Sequence, residues 1–324
     1  MTTQKKQKKM AQTPIAGALS RKDTILEALS PLAACISKII AITNQKGGVG
    51  KTSTSFNLAH FLNEMGYRVL VVDLDGQGNM TELFFSVDVL DRYVHTQALA
   101  LFSPGILESF HPLPHPSGID LLPTRPNSHE MNNVDTMDIG VAAVFYENLT
   151  VVAQRYDFVV CDTPPTPGVR TTCACSSADY IFAPVLVDIF AASALDGVIN
   201  SIENIGEILD IDLSLTGILI SNLEDNTDET RSIYKSLADR IGNLMIPTPI
   251  SRSKAFTRAQ REGVPVWHLR RSGSERATSQ NARKAYGEMV SRINEIQKDR
   301  IKYFSDVSRA VRAKIQAAHV ATEG

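Results

Sequence analysis

Two lysines flank a glycine-rich turn in the segment Lys46-Gly47-Gly48-Val49-Gly50-Lys51-Thr52. Glycines let backbone N–H groups come close to an anion, and a helix starting at such a turn adds the positive end of its dipole. Lys51 is then placed to reach the outer phosphates of a triphosphate. The Thr52 hydroxyl, with Ser53 beside it, is placed to serve a magnesium ion. Two further segments end in carboxylates. The first is Val71-Val72-Asp73-Leu74-Asp75-Gly76-Gln77-Gly78-Asn79, in which Asp73 and Asp75 stand two residues apart. The second is Phe158-Val159-Val160-Cys161-Asp162-Thr163-Pro164-Pro165, an apolar run closed by Asp162. A carboxylate at such a strand end can hold Mg²⁺ through water.

These groups need a scaffold, and the apolar pattern supplies one. Residues 39–42 predict a buried strand, residues 51–65 a helix stopped by Gly66, and residues 69–72 a second strand. Strand, helix and strand in that order form a βαβ unit and imply a parallel sheet. Further strands are expected at 119–122, 158–161, 180–185 and 215–220, with helices near 141–154, 192–209, 228–240 and 274–300. Continuously apolar strands are covered on both faces. The expected class is therefore α/β, a mostly parallel twisted sheet with helices on both sides. In such sheets ligands gather at the carboxyl ends of the strands, where the three segments end.

This chemistry is phosphoryl transfer, which asks a protein mainly for positioning and charge neutralisation. Lys46, Lys51 and Mg²⁺ would offset phosphate charge. No Cys, Ser or His nucleophile is required, so direct in-line attack by water is the economical route.

The chain has 324 residues, 43% of them apolar and 21% charged, with a formal net charge of -2. That composition builds an ordinary core without disulfides or structural metals. Cys35, Cys161, Cys173 and Cys175 lack zinc-site spacing and read as structural residues of a reducing cytoplasm. No apolar run approaches the roughly 20 residues that cross a bilayer. The basic start (Lys5, Lys6, Lys8, Lys9) is not followed by the apolar run of a secretory signal. Residues 1–37 read as a flexible basic tail, with a possible short helix at 20–29. Residues 38–300 read as the α/β domain and 301–324 as a helical tail. Residues 103–128 read as an irregular insertion, and His111 and His115 within it as solvated loop residues.

The generic P-loop, G-x-x-x-x-G-K-S/T, is not fully met, because Gln45 stands at its first glycine. Asn44 to Thr52 instead resembles the deviant P-loop of the ParA/MinD family of ATPases, K-G-G-x-G-K-S/T. The resemblance implies that Lys46 is the signature lysine, reaching across a dimer interface to the partner's nucleotide. The second segment resembles the family's D-x-D-P-Q-G-N motif, with Gly76 in place of the usual proline, which leaves the turn less rigid. By that likeness Asp75 orients the attacking water, and Asp73 supports the magnesium shell or its hydrogen-bonded neighbours. The third resembles the D-x-P-P motif, with Asp162 as a magnesium-side carboxylate. The likeness spans roughly residues 38–300. It extends to 246–252 and 263–266, which look like the late segment of ParA/Soj-type partition ATPases and offer Pro249, with Asn222, as adenine neighbours.

Between Arg252 and Lys284 basic residues accumulate: Arg252, Lys254, Arg258, Arg261, Arg270, Arg271, Arg276, Arg283 and Lys284, opposed within the stretch by Glu262 and Glu275. Clustered arginines attract phosphates without reading sequence. With the resemblance, this implies an ATP-bound homodimer that binds DNA non-specifically, through Arg252, Arg270 and Arg271 among others, and associates with the nucleoid. A ParB-like partner would stimulate hydrolysis. The alternative is MinD-like or other ParA-type positioning of a protein cargo or a membrane-associated assembly. It calls for a bulky amphipathic C-terminal helix, whereas residues 305–324 carry Val307, Val311 and Ile315 and then small alanines. An iron–sulfur carrier would need cysteines in a pattern that Cys161, Cys173 and Cys175 do not match.

Overall fold

A computed structural model describes residues 37–92, 97–104, 110–224 and 227–294. The expectations for the N-terminal tail, Cys35, residues 295–300 and the C-terminal tail lie outside the described residues. Five parallel strands carry the architecture: β1 (Lys38–Ile42), β2 (Val69–Asp73), β5 (Phe158–Asp162), β6 (Tyr180–Leu186) and β7 (Gly217–Ser221). β4 (Ile119–Leu122) extends the parallel sheet beyond β2, and the short β3 (Leu113–Pro114) pairs antiparallel with β4. The order is β3-β4-β2-β5-β1-β6-β7. β1 is flanked by β5 and β6, so the loop leaving it sits at the middle of the sheet edge.

The strands are apolar throughout because both faces are covered. Along β1, Ile39 and Ala41 enter one core while Ile40 and Ile42 enter the other. The first core is closed by α5 (Val141–Ala153), α6 (Val169–Ser177) and α7 (Ala191–Leu209). The second is closed by α1 (Lys51–Glu64) and α10 (Gly273–Ser291), with Trp267 fully buried between them. A fully buried aliphatic side chain contributes about 1.5–3 kcal/mol. One charge placed on either face of β1 would therefore cost the fold heavily.

Several short helices escape the periodicity argument: α2 (Asn79–Glu82), α3 (Val87–Leu90) and α4 (His129–Asn133). One turn of helix leaves no period to read. α6 and α9 (Lys254–Arg261) are also additions. α6 is rich in Thr, Ser and Cys, and α9 buries only Ala255 and Ala259. α8 (Asp228–Ile241) matches its expected span and is capped by Thr227, whose side chain accepts from the Thr230 N–H. α10 starts at a full capping box between Ser272 and Glu275.

Within the expected irregular insertion, His115 departs from a solvated loop residue. It is half-buried, its Nδ1 lies 2.8 Å from Ser117 Oγ, and its ring meets Phe84 and Phe85 edge-on. His111 is exposed.

Candidate functional site

The loop between β1 and α1 turns on glycines with left-handed backbone, Gly48 at φ 73° and Gly50 at φ 88°. Side chains there would be strained. Nothing lies within 4 Å of a Cβ built on Gly47 or Gly48, so the space over the loop is open to a ligand. Two side chains brace it through three hydrogen bonds. Asn44 Oδ1 accepts from the Lys46 N–H at 2.8 Å, and Asn44 Nδ2 donates to the Pro184 carbonyl of β6. Ser221 Oγ, at the end of β7, donates to the Val49 carbonyl at 2.6 Å. α1 begins on Gly50 with no side-chain cap and no acidic residue in its first turn. Its free N–H groups and positive dipole end are left for an anion.

Lys51 is buried, and its Nζ arches back to donate to the Lys46 carbonyl at 3.2 Å. Burial holds its ammonium pKa below the usual value, while the charges of Asp162 and Asp75 pull the other way. Thr52 Oγ1 donates to Asp162 Oδ2 at 2.7 Å, and Ser55 Oγ to Asp162 Oδ1 at 2.8 Å. Burial lifts the Asp162 carboxyl to about 6, against the pull of Thr52, Ser55 and Lys51. A hydroxyl and a carboxylate held together at a strand end are the hard oxygen donors that Mg²⁺ takes. With the open glycines and Lys51, the residues present fit a magnesium-bound triphosphate. Ser53 sits half-buried in the same first turn, its carbonyl accepting from Asn57 Nδ2.

Asp73 lies in register with Asp162 on the neighbouring strand and is fully buried. Burial first, then the Asp162 charge, push its carboxyl well above the usual range. It accepts from the Thr81 N–H and hydroxyl and from the Asp75 N–H. Of the two roles expected for Asp73, these contacts fit the second: it braces the turn that follows β2. Asp75 is the last acid before that turn. Its Oδ1 accepts from the Gln77 N–H at 3.0 Å, and its carbonyl from the Gly78 N–H.

Asn222 follows Ser221 with a left-handed φ of 55° and is exposed. The segment carrying Pro249 is tied to it, because the Leu223 N–H donates to the Ile250 carbonyl. The fold thus brings both adenine candidates to the β7 side of the loop that Ser221 holds. The arginines lie farther along. Arg252 pairs with Glu224, Arg271 with Glu262, Arg258 with Glu275 and Arg283 with Glu64. Arg270 donates to the Trp267 carbonyl. Carboxylates within the stretch and from distant sequence therefore temper it, although the Arg252 and Arg271 pairs are exposed and worth little in water.

Besides Ser221, sequence reasoning missed Ser55 and Asp188 here. Ser55 lies one helical turn after Thr52, a spacing that could have flagged it. Asp188, beyond the end of β6, is paired with Lys46. Lys46 also lies 5.9 Å from the Phe190 ring, and the neighbouring Ile189 and Phe190 are 70% and 63% exposed. Lys46 thus turns away from its own loop toward an apolar surface corner.

The family model for the AAA domain matches residues 37–215, more than half of the chain. The chain belongs to this family, in its ParA/MinD branch. The sporulation initiation inhibitor protein Soj of Bacillus subtilis is 28% identical over 243 residues, covering 71% of this chain and 90% of the relative. The chromosome-partitioning ATPase Soj of Treponema pallidum is 27% identical over 237 residues, covering 71% and 89%. Among solved structures, the cobyrinic acid a,c-diamide synthase of Mycobacterium smegmatis with bound ATP analog and magnesium is 28% identical. It has a TM-score of 0.59 and covers 70% of this chain and 92% of that one. The fold of this ParA/MinD-type chain is that of the P-loop NTPases, and the Mycobacterium smegmatis structures hold an ATP analog or ADP together with magnesium. Among the described residues, no helix is long and apolar enough to cross a membrane.

Proposed function

We infer that this ParA-like ATPase dimerises on binding Mg-ATP, holds DNA without sequence preference, and partitions a plasmid or chromosome. A ParB-like partner would raise its hydrolysis rate. The observation that carries this reading is the pair of lysines on one loop with opposite orientations. Lys51 bends inward under the loop, whereas Lys46 faces outward beside exposed Ile189 and Phe190. An outward lysine next to an apolar corner suits a second copy of the chain, whose phosphates Lys46 would meet.

On this reading each residue takes a role. Lys51 and the N–H groups at the start of α1 offset phosphate charge. Thr52 would hold the metal directly and Asp162 would support it from behind, the metal's contribution being neutralisation of charge on the phosphate oxygens. Asp75, fixed by the Gln77 N–H, would orient the attacking water. Asn222 and Pro249 would border the adenine. Arg252, Arg270 and Arg271 would contact DNA phosphates, exchanging weak surface pairs for stronger phosphate contacts. Nucleoid association would follow from that contact.

Retention on a long random-sequence DNA tests the switch when measured with Mg-ATP, with Mg-ADP and without nucleotide. The reading expects retention with Mg-ATP alone, strongest in Asp75→Ala, which should bind ATP and dimerise but turn over little. Equal retention in all three states would refute the switch. Normal turnover by Asp75→Ala would remove Asp75 from its role.

A further inference from the structure

The turn carrying Asp75 has no room for a side chain at its next residue. A Cβ built on Gly76 would fall 2.1 Å from Asn132 Oδ1 and 2.6 Å from Asn132 Cγ. Gly76 does not have a positive φ, so space rather than backbone conformation demands glycine. The side chain filling that space is itself held. Arg170 Nη1 donates to Asn132 Oδ1 at 3.1 Å and to the Leu74 carbonyl at 3.2 Å. Arg170 Nη2 donates to Asp135 Oδ2 at 2.6 Å, and the Arg170 N–H to Asp135 Oδ1. The Arg170 side chain is only 5% exposed. From the other side, the Ser128 N–H donates to the Gly76 carbonyl at 2.8 Å. Asp135 also lies against Gly168, 2.5 Å from where a Cβ would stand, so the loop after β5 is fastened to the same group.

Such a network is costly unless it does something. A guanidinium taken out of water needs its donors satisfied, and breaking a buried pair leaves an uncompensated charge. Here Nε finds no partner and Nη2 serves Asp135, while Nη1 is spent on the backbone just before Asp75 and on the amide that packs against the residue just after it. We propose that Arg170, with Asn132 and Asp135, is a positioning clamp for Asp75. It immobilises the turn from Leu74 to Gly78 by packing and hydrogen bonds. The related motif carries a proline at the position of Gly76, whose ring fixes φ covalently. In this chain the Asn132 amide occupies the place of that ring. The inference rests on the reading of Asp75 as the water-orienting residue.

The test uses the full chain and compares Asn132→Ala, Arg170→Lys, Gly76→Pro and the double variant Gly76→Pro/Asn132→Ala. Each is checked for an unchanged melting profile. Steady-state ATP turnover is read beside Mg-ATP affinity, and amide hydrogen exchange is followed over residues 74–78. A misplacement near 1 Å can cost about 100-fold in rate. Asn132→Ala and Arg170→Lys should lose roughly 10- to 100-fold in kcat with affinity held within about threefold. Their amides at 76–78 should exchange faster. Gly76→Pro should also lose turnover through its collision with Asn132. The double variant should regain turnover above both single variants, because the ring then enters the space the amide has left. A double variant no better than the worse single would overturn the clamp, as would an affinity loss equal to the rate loss. Unchanged exchange over 76–78 in Asn132→Ala would overturn it whatever Asp75 does. Normal turnover by Asp75→Ala would instead sink the reading of Asp75, a result distinguishable from these.

Discussion

Asp188→Asn isolates what the Lys46 contact costs the assembly. In the single chain the Lys46 ammonium pairs with the Asp188 carboxylate, their side chains 33% and 36% exposed. At that exposure an ion pair is worth roughly 0.5–1 kcal/mol. If Lys46 must leave Asp188 to reach a partner's nucleotide, a two-fold symmetric dimer breaks two such pairs and sacrifices about 1–2 kcal/mol. Asparagine keeps the size and most of the hydrogen bonding of aspartate but removes the charge. Asp188→Asn should therefore dimerise about 5- to 30-fold more tightly with Mg-ATP. The Phe190 contact at 5.9 Å is untouched by the change, so the difference reports the carboxylate alone. The assay is sedimentation velocity across a concentration series, on an Asp75→Ala background so that ATP persists. Lys46→Ala on the same background should lose the dimer. Dimerisation by Asp188→Asn that is unchanged or weaker would refute the idea that this pair holds Lys46 back.

Two other outcomes follow from particular residues. His60 is buried, stacked on Phe84 and edge-on to Phe56. Burial, then the nearby His268 and His115, hold its pKa down at about 4. The unfolded chain takes up this proton near pH 6.5, so between those values it binds more protons than the folded chain and stability falls as pH falls. From pH 7 to pH 5 this group should cost about 2 kcal/mol. Urea unfolding of His60→Phe should show that much less acid sensitivity, and an identical loss would exclude His60. For the basic stretch, reversing Arg252, Arg270 and Arg271 to Glu should lower ATP-dependent DNA affinity and reduce the salt slope by about 3. Undiminished affinity at moderate salt would return these arginines to a solvated surface.

The phosphate loop was legible because its chemistry is local. Glycines at fixed offsets, a lysine and a hydroxyl must follow one another in sequence to wrap an anion, and an apolar strand before and a helix after are required to present them. Asp73 and Asp162 were legible for a related reason: each closes a continuously apolar run, such runs end at one edge of a parallel sheet, and Asp75 follows two residues after the first. The braces were not legible. Ser221 supports Val49 and Arg170 supports Leu74 across long separations that only the folded sheet closes. Asp188 ends an apolar run much as Asp162 does, but its partner is set by the direction in which Lys46 points, which spacing does not fix. The arginine-rich stretch looked more positive in sequence than it is in space, since Glu64 and Glu224 come from other elements to meet it. The absence of a Cβ at Gly76 reads in sequence as a loose turn. In the fold Asn132 fills the space beside it.

Titration calorimetry of the purified chain with ATP, in magnesium and again in EDTA, addresses the central claim most directly. Saturable one-per-chain binding that weakens sharply without the metal, and is lost in Lys51→Ala, is the predicted result. Binding indifferent to both magnesium and Lys51, or no binding at all, would contradict the account.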